Sequence, residues 1–477
     1  MDENMNLQPN DDAQSPRPRR RRKRTKWQIF KEAYLPYLIM LLALILIVTF
    51  VVGSLGREKA PEKDPAGSST PPSTQSMESR LEQEAQDLLA QAEVLAKDYD
   101  YEGAMKLLAT YSGGINTHDG LMDKYQEYHD AFASLIPYRN INEIPNLSFR
   151  LLIADLSRAL NDEDYGESFN NNYVTVGEFR KILQQLYDNG YMLISLQDIA
   201  PKTVDANGKV SVSQSTIYMP EGKMPLILTQ VGVNYFTYIV DGDGDGIADK
   251  DGSGFASRLV LDENGNLTNE MVDASGNIVT GSFDLVTILN DFIAEHPDFS
   301  YRGARATLAV TGYDGLFGYR TDPETATKIG QEFYDKQISE VKGVIEKLRE
   351  DGYDIACFSY DYADYGSMTA GEISADLDFW KEEVQPLLGD VDIMVYPYDD
   401  IGNANLYTGN KYNVLKEFGF TYFIRKDSAP AWGQVTDSYA RMSRREVGGA
   451  AMYKTPELFE DLFNAATVLD PNRGFGN

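Results

Sequence analysis

Transition-metal ligands are scarce in this sequence: one cysteine, Cys357, and three histidines, His118, His129 and His296, in 477 residues. A single cysteine excludes an intramolecular disulfide. Three widely spaced histidines leave no material for a His-rich metal centre. Basic residues are also in short supply, 44 Lys and Arg against 73 Asp and Glu, for a formal net charge of −29. That balance excludes general nucleic-acid binding, which needs cations to neutralise phosphate. Hydrophobic residues make up 42% and charged residues 25%, enough apolar material for a folded core.

The few cations are unevenly placed. Residues 1–55 hold nine Lys and Arg against five Asp and Glu; the remainder holds 35 against 68. Eight of the ten residues from Arg17 to Lys26 are cationic, and Leu35 to Leu55 is apolar apart from Thr49 and Ser54. A helix of that length spans roughly 30 Å, the thickness of a bilayer core. Cations before the span and few after it predict a cytoplasmic N-terminus and a single-pass anchor. A cleaved signal peptide is disfavoured by the length of the run and the missing small-x-small site. The positive-inside rule accounts for the Arg run without a nuclear or nucleic-acid role.

The expected organisation is a basic cytoplasmic tail (1–34), a transmembrane helix (35–55), a flexible Pro/Ser-rich linker (56–76), a helical hairpin (77–137) and an α/β domain (138–477). Leu81, Ala85, Leu88, Ala92 and Leu95 form one helical stripe, and Ala104, Leu107 and Leu108 a second. With the Asp98-Tyr99-Asp100 turn between them, they resemble a tetratricopeptide hairpin. One repeat is too few for a solenoid, so a spacer packed on the next domain is preferred to a peptide-binding array. Beyond residue 138, strand-like runs at Ser148–Ile153, Met192–Ser195, Leu226–Thr229, Ala306–Val310, Ile355–Phe358, Ile393–Tyr396 and Tyr422–Ile424 alternate with helical ones. The helical runs are 176–189, 283–295, 326–350, 370–388 and 412–418. This alternation predicts a parallel sheet closed into a barrel, with its site at the C-terminal strand ends.

Several segments resemble the polysaccharide deacetylase (chitin deacetylase-like) family. Phe179 to Leu186, Asn189-Gly190-Tyr191 and Ile194-Ser195-Leu196 resemble its helix, xGY turn and second strand. Met224 to Thr229 resembles the strand entering the motif T-F-D-D-G. Leu348 to Ala356 and Val395 to Tyr398 resemble two later motifs. The resemblance covers residues 145–445 and implies an irregular (β/α) barrel of about seven strands. It also implies a divalent metal held by one Asp and two His, with a second Asp as base. Here those positions read Val231, Phe358 and Tyr362, with Gly232 in place of the base, and no histidine follows His296. Val and Phe offer no lone pair to a metal. No catalytic zinc is therefore expected, and the chain is expected to be a pseudoenzyme. The preferred reading is non-catalytic binding of an envelope glycan or envelope protein at a bacterial cell surface. The alternative is a deacetylase or hydrolase with a rearranged site.

Asp361, Asp364, Asp399 and Asp400 follow predicted strands and are the candidates for displaced acid–base groups; solvated rim charges are the competing explanation. Tyr235, Tyr360, Tyr396 and Tyr398 are candidate glycan contacts, because aromatic faces stack on sugars. Asp241, Asp243, Asp245 and Asp249, in an acidic Gly-rich insert (241–254), read D-x-D-x-D-G-x-x-D and resemble a calcium loop. Gly252 stands where an EF-hand would place its twelfth-position Glu. Calcium there would be structural. Cys357, in an apolar strand, is expected to be a buried thiol and not a nucleophile. For the anchor, a tag at residue 5 is expected to be protected in intact cells and one at residue 475 accessible; reversed labelling would reject the proposed topology.

Overall fold

The computed structural model describes residues 77–402, 406–427 and 431–475. The predicted tail, span and linker (1–34, 35–55 and 56–76) lie outside the described residues. Among the described residues no helix is long and apolar enough to cross a membrane.

The chain begins here with three helices: α1 (Met77–Lys97), α2 (Tyr101–Leu108) and α3 (Asp119–Ala133). The expected stripe is real: Ala85, Leu88, Ala92, Ala104 and Leu108 are buried together with Leu121 and Tyr128 of α3. Asp100 stops the chain from running on as one helix. Its carboxylate accepts from the Gly103 N–H at 3.1 Å and starts α2, the ordinary work of an N-cap. His118 does the same for α3, its Nδ1 accepting from Leu121 N–H. The helices dock through the α1–α2 turn. Arg302 N–H donates to the Asp98 carbonyl at 2.7 Å, and its guanidinium pairs with Asp100 at 3.1 Å. The helices are thus packed on the barrel domain, and they number three where the sequence predicts a two-helix hairpin.

Seven parallel strands form the wall of a closed barrel: β1 (Asn146–Phe149), β2 (Met224–Val231), β3 (Thr307–Val310), β4 (Asp354–Cys357), β5 (Ile393–Val395), β6 (Tyr422–Lys426) and β7 (Ala440–Glu446). In spatial order the wall runs β3-β4-β5-β6-β7-β1-β2, and β2 pairs with β3 to close it. The longer helices that pack outside are α4 (Val176–Asp188), α5 (Leu285–Glu295), α6 (Gln331–Glu350), α7 (Ala370–Phe379) and α8 (Asn410–Glu417). Strand alternation sorts the core into two layers. Leu226, Leu228, Leu308, Val310, Ile355, Cys357 and Phe423 face out, beneath Phe179, Ile182 and Leu186 of α4. Ile227, Val231, Ala309, Ala356, Phe358, Val395, Ile424 and Met442 face in. Small residues on β3 and β4 opposite larger ones keep this interior filled and not hollow.

The strand count agrees with expectation, but one member does not. The predicted strand at 192–195 is Tyr191–Leu193, which lies beside β2 outside the closed ring. The seventh wall strand is β7, whose sequence ARMSRRE has no apolar alternation to betray it. Arg441, Arg444 and Arg445 are all buried. The predicted helix 326–350 is broken at Gly330, which takes a φ of +125°. The run 370–388 contains a π turn at Trp380–Val384.

The insert after β2 is larger than the acidic loop. It continues as an antiparallel meander of Arg258–Leu261, Leu267–Val272 and Ile278–Gly281. Its two turns share one device with the Lys202–Val204/Val210–Val212 hairpin. An Asp accepts from the N–H groups two and four residues on, with Gly in the left-handed region between. For Asp262 both distances are 2.8 Å, and Gly265 has φ +80°; Asp273 with Gly276 and Asp205 with Gly208 repeat the pattern. These backbone bonds hold all three carboxyls below the usual range. A buried network ties the meander to the wall. Asn269 bonds Tyr235, whose hydroxyl donates to Asp284 at 2.7 Å, and Asp284 also accepts from Gln230 of β2 and from Leu152 N–H.

The N-terminal end of the barrel is closed by residues 191–219 and by Tyr99 from the helical turn. Tyr422 at the start of β6 donates to the Ala200 carbonyl there at 2.8 Å. Asp354, at the start of β4, sits at this closed end beside Gln197, 3.2 Å away. Burial, then the neighbouring Asp392 and Asp198, push its carboxyl up to about 7. An unfolded Asp ionises near 3.9, so ionising Asp354 costs the folded state nothing below that pH and progressively more as pH rises towards 7. Asp354→Asn is therefore expected to raise the melting temperature by ~2 °C or more at pH 8 and by less at pH 5. An equal gain at both pH values would reject the assignment.

Candidate functional site: the barrel mouth

The open end of the barrel is built by the residues that end or follow the wall strands. Arg150 follows β1, Val231 ends β2, and Phe358 and Tyr362 follow β4. Tyr398 follows β5, Lys426 ends β6, and Arg444 and Glu446 close β7. The positions expected to have lost the metal and base do gather here. Val231 pairs with Ala309 of β3, the Gly232 N–H donates to the Ala309 carbonyl at 2.9 Å, and the Phe358 N–H donates to Val310 at 2.8 Å. Gly232 sits at φ +69°, a conformation that an Asp would adopt only with strain. Phe358 meets Tyr362 edge to face, ring centroids 5.1 Å apart. Hydrocarbon and phenol thus face each other at these two positions.

The loop carrying Tyr362 is held by α7. Its Asp376 accepts from Tyr360 N–H (2.8 Å), Asp361 N–H (3.1 Å) and the Tyr365 hydroxyl (2.6 Å). Burial pushes the Asp376 carboxyl up, and these donors oppose the shift. Ser359 and Tyr362 both have positive φ, 58° and 53°. Two left-handed non-glycine residues cost roughly 1–3 kcal/mol each, and the Asp376 bonds offset that cost.

Cations dominate the inner surface. Arg444 is fully buried, donating to Ser148 Oγ (3.0 Å), Glu446 Oε1 (2.9 Å) and the Tyr396 carbonyl (3.0 Å). The other Glu446 oxygen meets Lys426 Nζ at 2.5 Å. Burial would raise the Glu446 carboxyl, but Arg444, Arg150 and Lys426 together hold it at about 2. Arg150 is half-buried. Its Nη1 donates to the Tyr362 hydroxyl at 3.2 Å, and its guanidinium lies over the Tyr173 ring, 5.6 Å from the centroid.

Aromatic rings rise from this floor. Tyr362 meets Tyr398 at 5.6 Å, and Tyr398 is 51% exposed. On the side of Tyr173, Tyr238 stacks on Phe236 at 5.6 Å and contacts Tyr165 at 5.0 Å, while Phe236 reaches Tyr313 at 6.1 Å. Tyr165, Tyr238 and Tyr313 are all exposed.

The other candidate residues separate. Of the four tyrosines, only Tyr398 is presented to solvent. Tyr235 is buried in the Asp284 network, Tyr360 packs in the core with its hydroxyl on Glu383, and Tyr396 is fully buried. Asp364, Asp399 and Asp400 come to one rim around Gly366, where an added Cβ would lie 2.8 Å from Asp399 Cβ and 3.0 Å from Asp364 Oδ1. Asp400 accepts from the Tyr407 hydroxyl at 3.0 Å and faces Arg425 and Arg441 at 3.7 and 3.9 Å. A cleft of about 320 Å³ runs past Gly366, Asp399, Asp400, Gly402, Arg425 and Lys426. Asp361 is exposed and lies near Tyr313. Cys357 is buried, and burial pushes its thiol up, the opposite of an activated nucleophile. His296 caps α5 against the Tyr187 ring.

In the insert, Asp241, Asp243 and Asp249 each bring a carboxylate oxygen within 4.8 Å of the others. Asp245 instead accepts from Ile247 N–H at 2.8 Å. The loop winds round Asp241, which accepts from Gly244 N–H at 2.7 Å.

Sequence reading missed Arg150, Lys426, Arg444 and Glu446. The available signal was the spacing of Arg444 and Glu446, two apart on one strand face, but it becomes visible only once ARMSRRE is known to be a strand.

No protein-family model matches the chain, and no curated protein matches it by sequence. Among solved structures it is similar to a Streptococcus pyogenes deacetylase in complex with acetate, at 11% identity and a TM-score of 0.33 over 70% of this chain and 100% of that one. It is also similar to a family 4 carbohydrate esterase from Streptomyces lividans in complex with acetate (12%, TM-score 0.19, 35% of this chain and 77% of that one). A third is the chitin deacetylase of the fungus Colletotrichum lindemuthianum (13%, TM-score 0.21, 40% and 85%). The likeness is one of fold, and the chemistry rests on this chain's own residues.

Proposed function

We propose that this protein is a deacetylase-like barrel without deacetylase chemistry, held by the span 35–55 outside the cytoplasmic membrane of a bacterium, where its mouth binds an envelope glycan or envelope partner. The observation that carries this reading is the pair Phe358 and Tyr362, ring to ring at 5.1 Å, beside Val231 and the left-handed Gly232. A metal of the kind used in amide hydrolysis needs about three ligands and an open position, and these residues supply none that is strong. The exposed Tyr398, Tyr238, Tyr165 and Tyr313 offer stacking faces for sugar rings. The full-length chain in detergent micelles is expected to retain glycan oligomers on a column and to release no acetate from acetylated ones. Chelator-sensitive acetate release would overturn the non-catalytic reading, and failure to retain any glycan would leave the envelope protein as the ligand.

Calcium is proposed as a structural ion of the insert, supported by the approach of Asp241, Asp243 and Asp249. Calcium at millimolar concentration is expected to raise the melting temperature by mass-action linkage. Asp241→Asn with Asp243→Asn should abolish the rise. An unchanged wild-type melting temperature would make the segment an acidic turn and no more.

A further inference from the structure

One cation at the mouth lacks a carboxylate. Arg150, Lys426 and Arg444 surround Glu446, and both of its oxygens are engaged, Oε1 by Arg444 and Oε2 by Lys426; Asp399 and Asp400 line the cleft past Lys426. Among the described residues Arg150 has no carboxylate of its own within ion-pair distance; its side-chain hydrogen bond goes to the neutral phenol of Tyr362. Unlike Arg444, which is sealed in the wall, Arg150 remains partly open to solvent at the centre of the aromatic enclosure. A half-buried guanidinium offers five donors in a plane and is weakly hydrated, which suits a planar two-oxygen anion. Most of the chain's surface carries the opposite sign, with a net of −29 overall. It would repel a diffuse polyanion, so the attraction is local to this one point.

We infer that the mouth recognises a carboxylate-bearing sugar, its carboxylate engaging Arg150 and its ring lying against the tyrosines around Tyr362. This inference rests on the glycan-binding reading and adds a substrate class to it. Tyr362 and Tyr173 hold the guanidinium in place, while Lys426 is a second cation of the mouth, paired with Glu446. The cation thus stands next to Tyr362, one of the positions where the family resemblance would place a metal ligand. An anion can be held there by a fixed organic charge with no metal and no turnover.

The test is calorimetric titration of the full-length chain in neutral detergent micelles with three probes. These are a glucuronic acid hexamer, its carboxyl-reduced glucose hexamer, and a glucose hexamer carrying phosphate monoesters. The acidic hexamer is expected to bind tightest, with affinity falling as sodium chloride is raised from 50 to 500 mM. Arg150→Gln is expected to weaken the acidic hexamer by roughly tenfold or more relative to the neutral one. Arg150→Lys should recover part of the loss. Equal binding of acidic and neutral hexamers, insensitive to Arg150→Gln, would overturn the carboxylate assignment while leaving glycan binding intact. Preference for the phosphorylated hexamer would also overturn it. Binding of none of the three would remove this inference together with the glycan reading. If Arg150→Gln does not fold, the salt dependence of the wild type decides: an affinity for the acidic hexamer that does not fall with salt rejects the role of Arg150.

Discussion

The buried guanidinium of Arg444 is the constraint on which the barrel's geometry turns. The ring closes where its last strand meets its first, and that seam is short: Arg445 opposite Leu147 and Glu446 opposite Ser148. Arg444 reinforces it from inside, bonding Ser148 on the first strand, the Tyr396 carbonyl past the fifth, and Glu446 on its own. Removing one partner from such a buried charged set typically costs about 3–5 kcal/mol, because the remaining charge is left unpaired. The interior therefore tolerates an arginine only if Glu446 stays ionised, and the cations around Glu446 keep it so at any physiological pH.

That requirement shapes the mouth. A barrel interior of Ile, Val, Ala and Met ends abruptly in charge at its C-terminal rim. Glu446 is fully engaged, so the next cation inward, Arg150, is left without a carboxylate partner. The loop bearing Tyr362 is fixed by the buried Asp376, so the ring beside Arg150 is not free to swing away. The side chains of the mouth are thereby held in position by the fold itself.

The two ends of the barrel divide the labour. The closed end gathers Asp198, Asp354 and Asp392 with Gln197 and Lys202, and it receives the helical spacer through Asp98, Asp100 and Arg302. It carries partly buried carboxyl groups and packing, and the open end carries Arg150, the exposed rings and the rim aspartates. The meander of the insert is joined to the wall by Asn269, Tyr235 and Asp284, which is why Tyr235 is spent on structure although its place after a strand suggested a ligand contact.

The sequence by itself determined the alternation of strands and helices, six of the seven wall strands, the helical hairpin with its Asp turn, and the absence of metal-ligating side chains where the family resemblance would place them. These are local properties, set by apolar period, turn residues and the chemistry of single side chains. Only the tertiary structure decided the seventh strand, because the arginines of ARMSRRE are buried against Asp400, Glu446 and Asp461, which come from three separate places in the chain, one of them the far end of the strand itself. It likewise decided which tyrosines are wall and which are surface, since Tyr396 and Tyr398 both follow β5 and are separated only by the turn of the chain after it. The cationic mouth belongs to the same category. Arg150, Lys426, Arg444 and Glu446 lie up to 296 residues apart, and nothing short of closing the barrel brings them together.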